Sequence, residues 1–456
     1  MNYYFRHPYK RVVAAAACLD AAALVAAASV VWVYGRPPGS GLVFALCTVL
    51  GAVLCGAALA SGEGYAPATL SSWRQNIRVV LRTMGIAFAV SLFVFAAVRT
   101  TPELTATLAS VALIYFPLLL VGRFAFRSAA AMHRVGNRVL IVGCSDIAVE
   151  IADFIKTHPS PGVELLGFLS DDFLPQGIEG YPVLGATHQL EKILGMDEVD
   201  TIVVATKQRD DSFPSDELLH AKLRGVHVES AVSFFERLTG RLYLRELHPS
   251  FLIYSNGFTS NRLAEVARRG IDVAMAAASV VIVSPLLAAC ALAIKLDSKG
   301  PVFYRQTRVG KDGRPFLVLK LRTMRTDAEK VSGARFATEQ DPRVTRVGRF
   351  LRMTRLDEVP QYWNVLVGDM SMVGPRPERP EFMDVLGERY PLFRLRLAQK
   401  PGLTGWAQVR YGYTRDIEAF ETKLGLDLYY LKHRSLLFDL LIILQTVKTV
   451  LLFKGI

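Results

Sequence analysis

Two carboxylates stand side by side at Asp357 and Glu358, with Pro360 just beyond them; further on, Arg376 sits between Pro375 and Pro377 and is followed by Glu378. Val359, before a proline, is pushed out of helical geometry. Pro360 is comfortable only in a first helical turn. The run to Gly368 then carries helical apolar spacing, so a helix is expected to start at the carboxylates. Its N-terminus would favour anions, and a carboxylate there would be ionised, exposed and available as nucleophile or metal ligand. The plain alternative is an acidic helix cap. Lys320, Arg322, Arg343, Arg346, Arg349, Arg352 and Arg355 crowd the approach. A guanidinium stiffened by two prolines suits a phosphate clamp. Clustered cations around a few carboxylates point to a metal-bound diphosphate. A basic face resting on anionic lipid is the competing reading. Nucleic acid is disfavoured, because the patch adjoins an apolar segment and no nucleic-acid motif accompanies it.

The elements that must position these groups belong to a membrane protein. The chain has 456 residues, is 51% hydrophobic and carries a formal charge of +12. Its five cysteines form no CxxC pair, which excludes a disulfide framework or zinc site and fits a reducing compartment. No cleavable signal is expected, since the first apolar run is too long for one. Apolar runs at 12–33, 41–60, 79–98 and 104–121 each approach the ~20 residues that cross a bilayer. Arg6, Lys10, Arg11, Arg74, Arg78, Arg82, Arg123, Arg127, Arg134 and Arg138 lie on one side of them, against Arg36 and Arg99 on the other. Both ends are therefore expected in the cytoplasm. Asp20 interrupts the first run, and a bundle-facing structural role is expected of it.

From 137 to about 230 the pattern changes. RVLIVG, LLGFLSD, YPVLG, DTIVVAT and VHVES read as strands, with a helix at 146–157 and helical stretches between, which implies a parallel α/β sheet. In the first turn, GCSDIA, Gly143 stands alone: Ser145 takes the place of the second glycine of a dinucleotide fingerprint and Ala148 that of the third. A structural or regulatory domain is expected. A dinucleotide-dependent sugar-modifying enzyme would also need a Tyr-x-x-x-Lys pair downstream, and none is found there.

The run 271–294 is long enough to span but has Ser284-Pro285 at its middle and basic residues on both flanks: Arg268 and Arg269 before, Lys295, Lys299 and Arg305 after. A re-entrant hairpin broken at Ser284-Pro285 keeps both flanks in the cytoplasm; a kinked fifth span is the alternative. The freed backbone groups need local partners, and Ser284 is placed to help. The last apolar run, 436–453, is studded with Asp439, Gln445 and Lys448. It reads as an interface-lying helix, or else as a plain packed one.

Residues from about 262 to 456 resemble the bacterial sugar transferases, the monotopic polyprenyl-phosphate phosphoglycosyltransferases. SPLL, GPVFYRQTRVGKDGRPFLVLKLRTM, DPRVTRVGRFLRMTRLDEVPQYWNVLVGDMSMVGPRPERPEF, KPGLTGWAQV and DLYYLK carry the resemblance. RELHPSFLIYSNGF resembles a subgroup associated with exosortase-linked exopolysaccharide loci. The four apolar runs and the α/β region resemble the N-terminal part of the large members of the sugar transferase family, so the expected organisation is four transmembrane helices over 1–135, a Rossmann-like domain over 136–245, a connector at 246–262, and an α-rich monotopic catalytic domain over 263–456 with a re-entrant helix at 271–294. The resemblance implies a multi-pass protein of the bacterial inner membrane with its catalytic domain in the cytoplasm.

The implied reaction joins a UDP-sugar and polyprenyl phosphate, with Mg²⁺ on Asp357 and Glu358. Asp357 would attack the β-phosphorus, UMP would leave, and undecaprenyl phosphate would take the sugar phosphate from the aspartate, opening glycan assembly. Glu358 would orient the metal or handle a proton. Lys320, Arg352 and Arg376 would hold phosphate, with Arg322, Asp369 and Glu378 added to the binding set. Ser284 and Pro285 would place the lipid phosphate. A homodimer is the assembly expected of a large membrane enzyme with an extra α/β domain. The alternatives are a glycosyltransferase that moves sugar alone and releases UDP, and a non-catalytic membrane scaffold. The identity of the hexose is not read from the residues.

Overall fold

A computed structural model describes residues 9–35, 77–81, 110–111, 113–125, 137–158, 163–171, 177–196, 199–206, 213–247, 252, 254–255, 257–258, 261–325, 341–411 and 417–451. The chain divides into two compact units, Met1–Tyr243 and Leu244–Ile456.

The first unit opens with α1 (Tyr9–Gly35) and, further along, α2 (Leu113–Ala125). Ala27, Ala28 and Val31 pack with Val80, Tyr115, Phe116 and Leu119. Asp20 lies inside this bundle and accepts a hydrogen bond from Arg123 at 2.7 Å, both side chains buried. An unpaired charge there would be costly, so the expectation that Asp20 faces the bundle is met. Arg123, which the sequence places among the flanking cations, is turned inward to meet it. The expected span 41–60 lies outside the described residues, and 79–98 and 104–121 lie largely or partly outside them, so the four-helix bundle stays an expectation. Among the described residues one helix is long and apolar enough to cross a membrane, and it belongs to the second unit.

The rest of the first unit is an α/β layer: β1 (Asn137–Val142), α3 (Asp146–Thr157), β2 (Val163–Leu169), β3 (Val183–Gly185), α4 (Leu190–Met196), β4 (Thr201–Val204), α5 (Ser215–Leu223), β5 (His227–Ser230) and α6 (Ala231–Thr239). All pairings are parallel, in the order β3-β2-β1-β4-β5. Helices cover both faces, so the central strand reads as continuous Val, Leu and Ile. Ile141 and Val203 pack with Ile151 and Phe235 on one side; Leu140 and Ile202 pack with Leu190 and Leu218 on the other. Gly143 ends β1 at φ +100°, where an added Cβ would lie 2.6 Å from Thr206 Cγ2. The glycine is needed to bring the ends of β1 and β4 together. Asp171, just past β2, spends its carboxylate on Thr187, accepting from its N–H at 3.0 Å and its hydroxyl at 2.6 Å.

The second unit runs α7 (Arg262–Asp297), β6 (Phe303–Val309), β7 (Pro315–Leu321), α8 (Arg346–Met353), a 3₁₀ turn at Leu356–Glu358, α9 (Gln361–Val367), β8 (Ser371–Val373), α10 (Pro380–Arg389), a 3₁₀ stretch at Phe393–Ala398, β9 (Gly402–Thr404), α11 (Trp406–Tyr411), α12 (Ile417–Lys432) and α13 (Leu436–Leu451). β6 and β7 form an antiparallel hairpin, and β8 and β9 a short parallel pair.

Helix α7 is fastened to this unit at both ends. Near its start, Arg268 donates to Asp439 at 2.5 Å, and Asp272 accepts from the Ser371 hydroxyl and the Met372 N–H. Arg269 donates to the carbonyls of Val365 and Leu366, which the end of α9 leaves without helical partners. At its far end Cys290 and Ile294 pack on Leu321 and Leu351, and Asp297 accepts from Val347 N–H. Between these anchors Val281 and Ile282 are 73% and 75% exposed. The helix is continuous through Pro285, so the expected break at Ser284-Pro285 is not a gap between two helices. The physical reason is local repair. Proline deprives the Val281 carbonyl of its N–H partner, and the Ser284 hydroxyl donates to that same oxygen at 2.9 Å. In α13, Phe438 and Ile442 face inward while Leu437, Leu440 and Val447 are exposed. Asp439 is buried against Arg268 and the Tyr430 hydroxyl.

Candidate active site

The chain reaches the dyad through a forced turn. Thr345 caps α8 by accepting from Gly348 N–H at 3.0 Å, and α8 ends before Thr354. Arg355 then adopts φ +60°, a left-handed conformation that costs a non-glycine residue about 1–2 kcal/mol. It throws Asp357 and Glu358 into a 3₁₀ turn. The α-helix starts only at Gln361, with Pro360 as its cap. This corrects two expectations: the carboxylates lie one turn ahead of the helix that Pro360 caps, and Val359, expected outside helical geometry, is αR at φ −56° and ψ −37°. Helix α9 ends at Gly368, at φ +104°. Asn364 ties it to the hairpin, donating to Leu317 O at 2.7 Å and accepting from Leu319 N–H at 3.0 Å. That tie sets Lys320 against the dyad.

Glu358 is the electrostatic centre. Its Oε1 accepts from Lys320 Nζ at 3.0 Å and from Arg376 at 2.8 Å, and Arg355 lies 3.8 Å from Oε2. Burial works to raise its pKa, but Arg376, Lys320 and Arg355 outweigh it and hold Glu358 well below the usual carboxylate range. Asp357 goes the other way. Burial first, then the Glu358 charge, push it up to about 6 against Lys320, Arg352 and Arg355. It is 9% exposed. The expectation of an exposed, readily ionised carboxylate is therefore corrected for Asp357: it is shielded from water, and its negative charge is raised in energy.

Arg352 donates to Thr323 at 2.9 Å, and its charge reaches Asp357. Arg322 does not join the cluster. It is buried and donates to the carbonyls of Ser298 and Lys299 just past α7, a structural brace and not a phosphate ligand. Lys320, two residues earlier at the end of β7, reaches Glu358 instead. Arg343 is occupied by a bidentate pair with Asp341. Asp369 lies past the far end of α9, near Asn364 and away from the dyad. Glu378 lines the same cleft as Glu358 and faces Arg396 at 3.5 Å. Ser284 and Pro285 do not line that cleft; from α7 its wall takes Met275 and Ser279.

The cleft holds about 430 Å³. Glu358, Arg355, Arg376 and Glu378 form one part of its wall; Met275, Met372, Ile443 and Val447 supply an apolar part. Sequence reasoning missed Arg396 and Asp427, which also line it. Asp427 opens the stretch DLYYLK that carries part of the resemblance, and Arg396 lies in no such stretch; residue type alone marks neither as part of the site. Among the described residues no group of three His, Cys, Asp or Glu could hold a metal ion. Two adjacent carboxylates still fit Mg²⁺ of the kind held by one or two carboxylates together with substrate phosphates.

Comparison with known proteins identifies the family. The family model described as bacterial sugar transferase matches residues 263–453, and one described as CoA-binding domain matches residues 60–211. A UDP-glucose:undecaprenyl-phosphate glucose-1-phosphate transferase of Klebsiella pneumoniae is 33% identical over 347 residues, 72% of this chain and 70% of that protein. A UDP-N-acetylgalactosamine-undecaprenyl-phosphate N-acetylgalactosaminephosphotransferase of Aeromonas hydrophila is 42% identical over 216 residues, 47% of this chain and 50% of that protein, so the chain spans only about half of this relative's length. An exopolysaccharide production protein of Rhizobium leguminosarum is 42% identical over 188 residues, 40% of this chain and 94% of that protein. With the dyad, its cations and the long matched relative together, the chain belongs to the bacterial sugar transferases.

Proposed function

We propose that this protein transfers a sugar 1-phosphate from a UDP-sugar to a polyprenyl phosphate at the cytoplasmic face of the membrane, releasing UMP. The observation that carries the reading is the pairing of a shielded Asp357 with a Glu358 held by Lys320, Arg355 and Arg376, beside a cleft that Glu358, Arg355 and Arg376 line together with apolar side chains. A carboxylate whose charge is raised in energy by burial is a better nucleophile than a solvated one. In the proposed sequence Asp357 Oδ attacks the β-phosphorus, the bond from that phosphorus to the bridging oxygen breaks, and UMP carries the electron pair away. The lipid phosphate then attacks the same phosphorus and frees Asp357. Arg376 and Lys320 stabilise charge on the phosphate oxygens. Mg²⁺, held by Asp357 and Glu358 with the diphosphate, would supply further neutralisation of those oxygens.

Helix α7 is proposed to enter the bilayer and return on the same side. Supporting this, both of its ends dock on one compact unit while its apolar middle is exposed. The return would be made by a bend at Pro285 within the continuous helix. Glucose and N-acetylgalactosamine, the sugars of the relatives, are the first donors to try.

The test is nucleotide release by purified protein with UDP-glucose or UDP-N-acetylgalactosamine, Mg²⁺ and undecaprenyl phosphate. UMP that depends on the lipid and is lost in Asp357→Asn supports the reading. UDP in place of UMP overturns it in favour of transfer of the sugar alone.

A further inference from the structure

Arg376 sits on a segment without helix or strand, yet four successive carbonyls of that segment are each held by a different donor. Pro375 O accepts from Gly402 N–H at 3.0 Å, and Glu378 O accepts from Val309 N–H at 2.9 Å. Pro377 O accepts from the Arg308 guanidinium at 3.0 Å. The carbonyl of Arg376 itself accepts from Arg396 NH2 at 2.8 Å. Two prolines remove N–H donors from this segment, so its main-chain carbonyls are the handles by which it can be fixed.

Arg396 is the most heavily engaged of these donors. Its side chain is 5% exposed and stacks over the Phe393 ring. One end of its fork meets Glu378 at 3.5 Å; the other meets Asp427 at 2.7 Å as well as the Arg376 carbonyl. Asp427, on α12, is equally buried. The Arg376 guanidinium reaches the opposite way, to Glu358. A line of contacts thus runs from α12 to the dyad: Asp427, Arg396, the Arg376 main chain, the Arg376 side chain, Glu358.

We propose that Arg396, held by Asp427, is a positioning residue for transfer: it fixes the main chain of Arg376 so that the guanidinium meets the reacting phosphate without reorganisation. A planar fork is required, because one group must serve a carbonyl, Asp427 and Glu378 together. An ammonium in its place keeps the charge against Asp427 but cannot span these acceptors. The proposal rests on the transfer reaction above.

The experiment is a double-mutant cycle on UMP release, with Arg396→Lys and Asp427→Asn each made alone and in an Arg376→Ala background, and with thermal unfolding recorded for each protein. Displacing a clamp by ~1 Å can cost about 100-fold in rate. Arg396→Lys is expected to lower kcat about 10- to 100-fold, with a much smaller change in KM for the UDP-sugar. Asp427→Asn is expected to act in the same direction and less strongly. In the Arg376→Ala background both are expected to lose most of their effect, since coupled residues are not additive. Equal losses with and without Arg376 would overturn the proposal, as would losses that follow the melting temperature alone. Failure of the transfer reaction itself would show differently, as wild-type protein that releases no UMP.

Discussion

The α/β layer of the first unit and the second unit are opposites in construction. The first has a regular five-stranded parallel sheet with helices on both faces, the architecture that elsewhere places ligands at strand ends. At those ends Gly143 makes room for Thr206 and Asp171 caps Thr187, while the Ser145 and Thr206 hydroxyls are buried without a hydrogen-bond partner among the described residues. The second unit has a hairpin of seven-residue strands, a pair of three-residue strands, 3₁₀ turns and a proline-stiffened coil. There the charged groups converge, with three cations around one glutamate beside a shielded aspartate. Regular structure and a reactive site are separable, because the site needs a few groups held in place and the fold supplies only the means of holding them.

The most direct way to break this comparison is Asp357→Asn. If chemistry is confined to the catalytic unit, UMP release should fall by about 10³-fold or more, the scale seen when a nucleophile is removed. Appreciable activity in that variant, measured on purified protein, would return attention to the α/β layer.

Asp427 sharpens the comparison through pH. Burial pushes it up to about 6 against the opposing Arg396, with Glu378 adding to the rise. The native state therefore keeps a proton that the unfolded chain releases near pH 4. That contribution to stability is present below pH 4 and lost as pH rises through 6. The loss is roughly 3 kcal/mol for a shift of this size. Thermal unfolding between pH 4 and 7 should show wild type declining relative to Asp427→Asn; parallel curves would mean that Asp427 is not desolvated.

In the first unit, Gly143→Ala combines a positive φ with a contact of 2.9 Å to the Ala205 backbone. A cost of about 2–3 kcal/mol is expected, read as a lower melting temperature with UMP release per folded molecule unchanged. A matching loss of turnover in folded protein would show that the α/β layer takes part in the reaction. The smallest effect concerns Ser145, whose hydroxyl is buried without a hydrogen-bond partner among the described residues. Ser145→Ala should be neutral or stabilising by up to about 1 kcal/mol. A destabilisation that appears only when coenzyme A or a dinucleotide is added would identify a ligand at the end of the sheet.

Much of the fold was legible before the structure. Apolar strands alternating with helical periods announced the parallel sheet, and the helix expected at 146–157 is the one observed. The dyad, Lys320 and Arg376 were legible from residue type and from the stiffness that flanking prolines impose. Arg322 misled because composition does not show that a cation just past β7 is taken up by carbonyls from another element. The position of Ser284-Pro285 was visible, but not that the serine would repair the helix by taking up the Val281 carbonyl.

What the sequence by itself determined was local: the helix after Pro360, the apolar lengths, the presence of two adjacent carboxylates among cations, and a degenerate glycine turn. Only the tertiary structure decided the rest. It buried Asp357 and left Glu358 to the cations, so that two neighbouring acids diverge in pKa, and it gathered Arg396 and Asp427 from elsewhere in the chain behind Arg376. The reason is physical. Desolvation and charge–charge energies depend on what surrounds a group in space, and those neighbours come from segments that spacing along the chain does not relate.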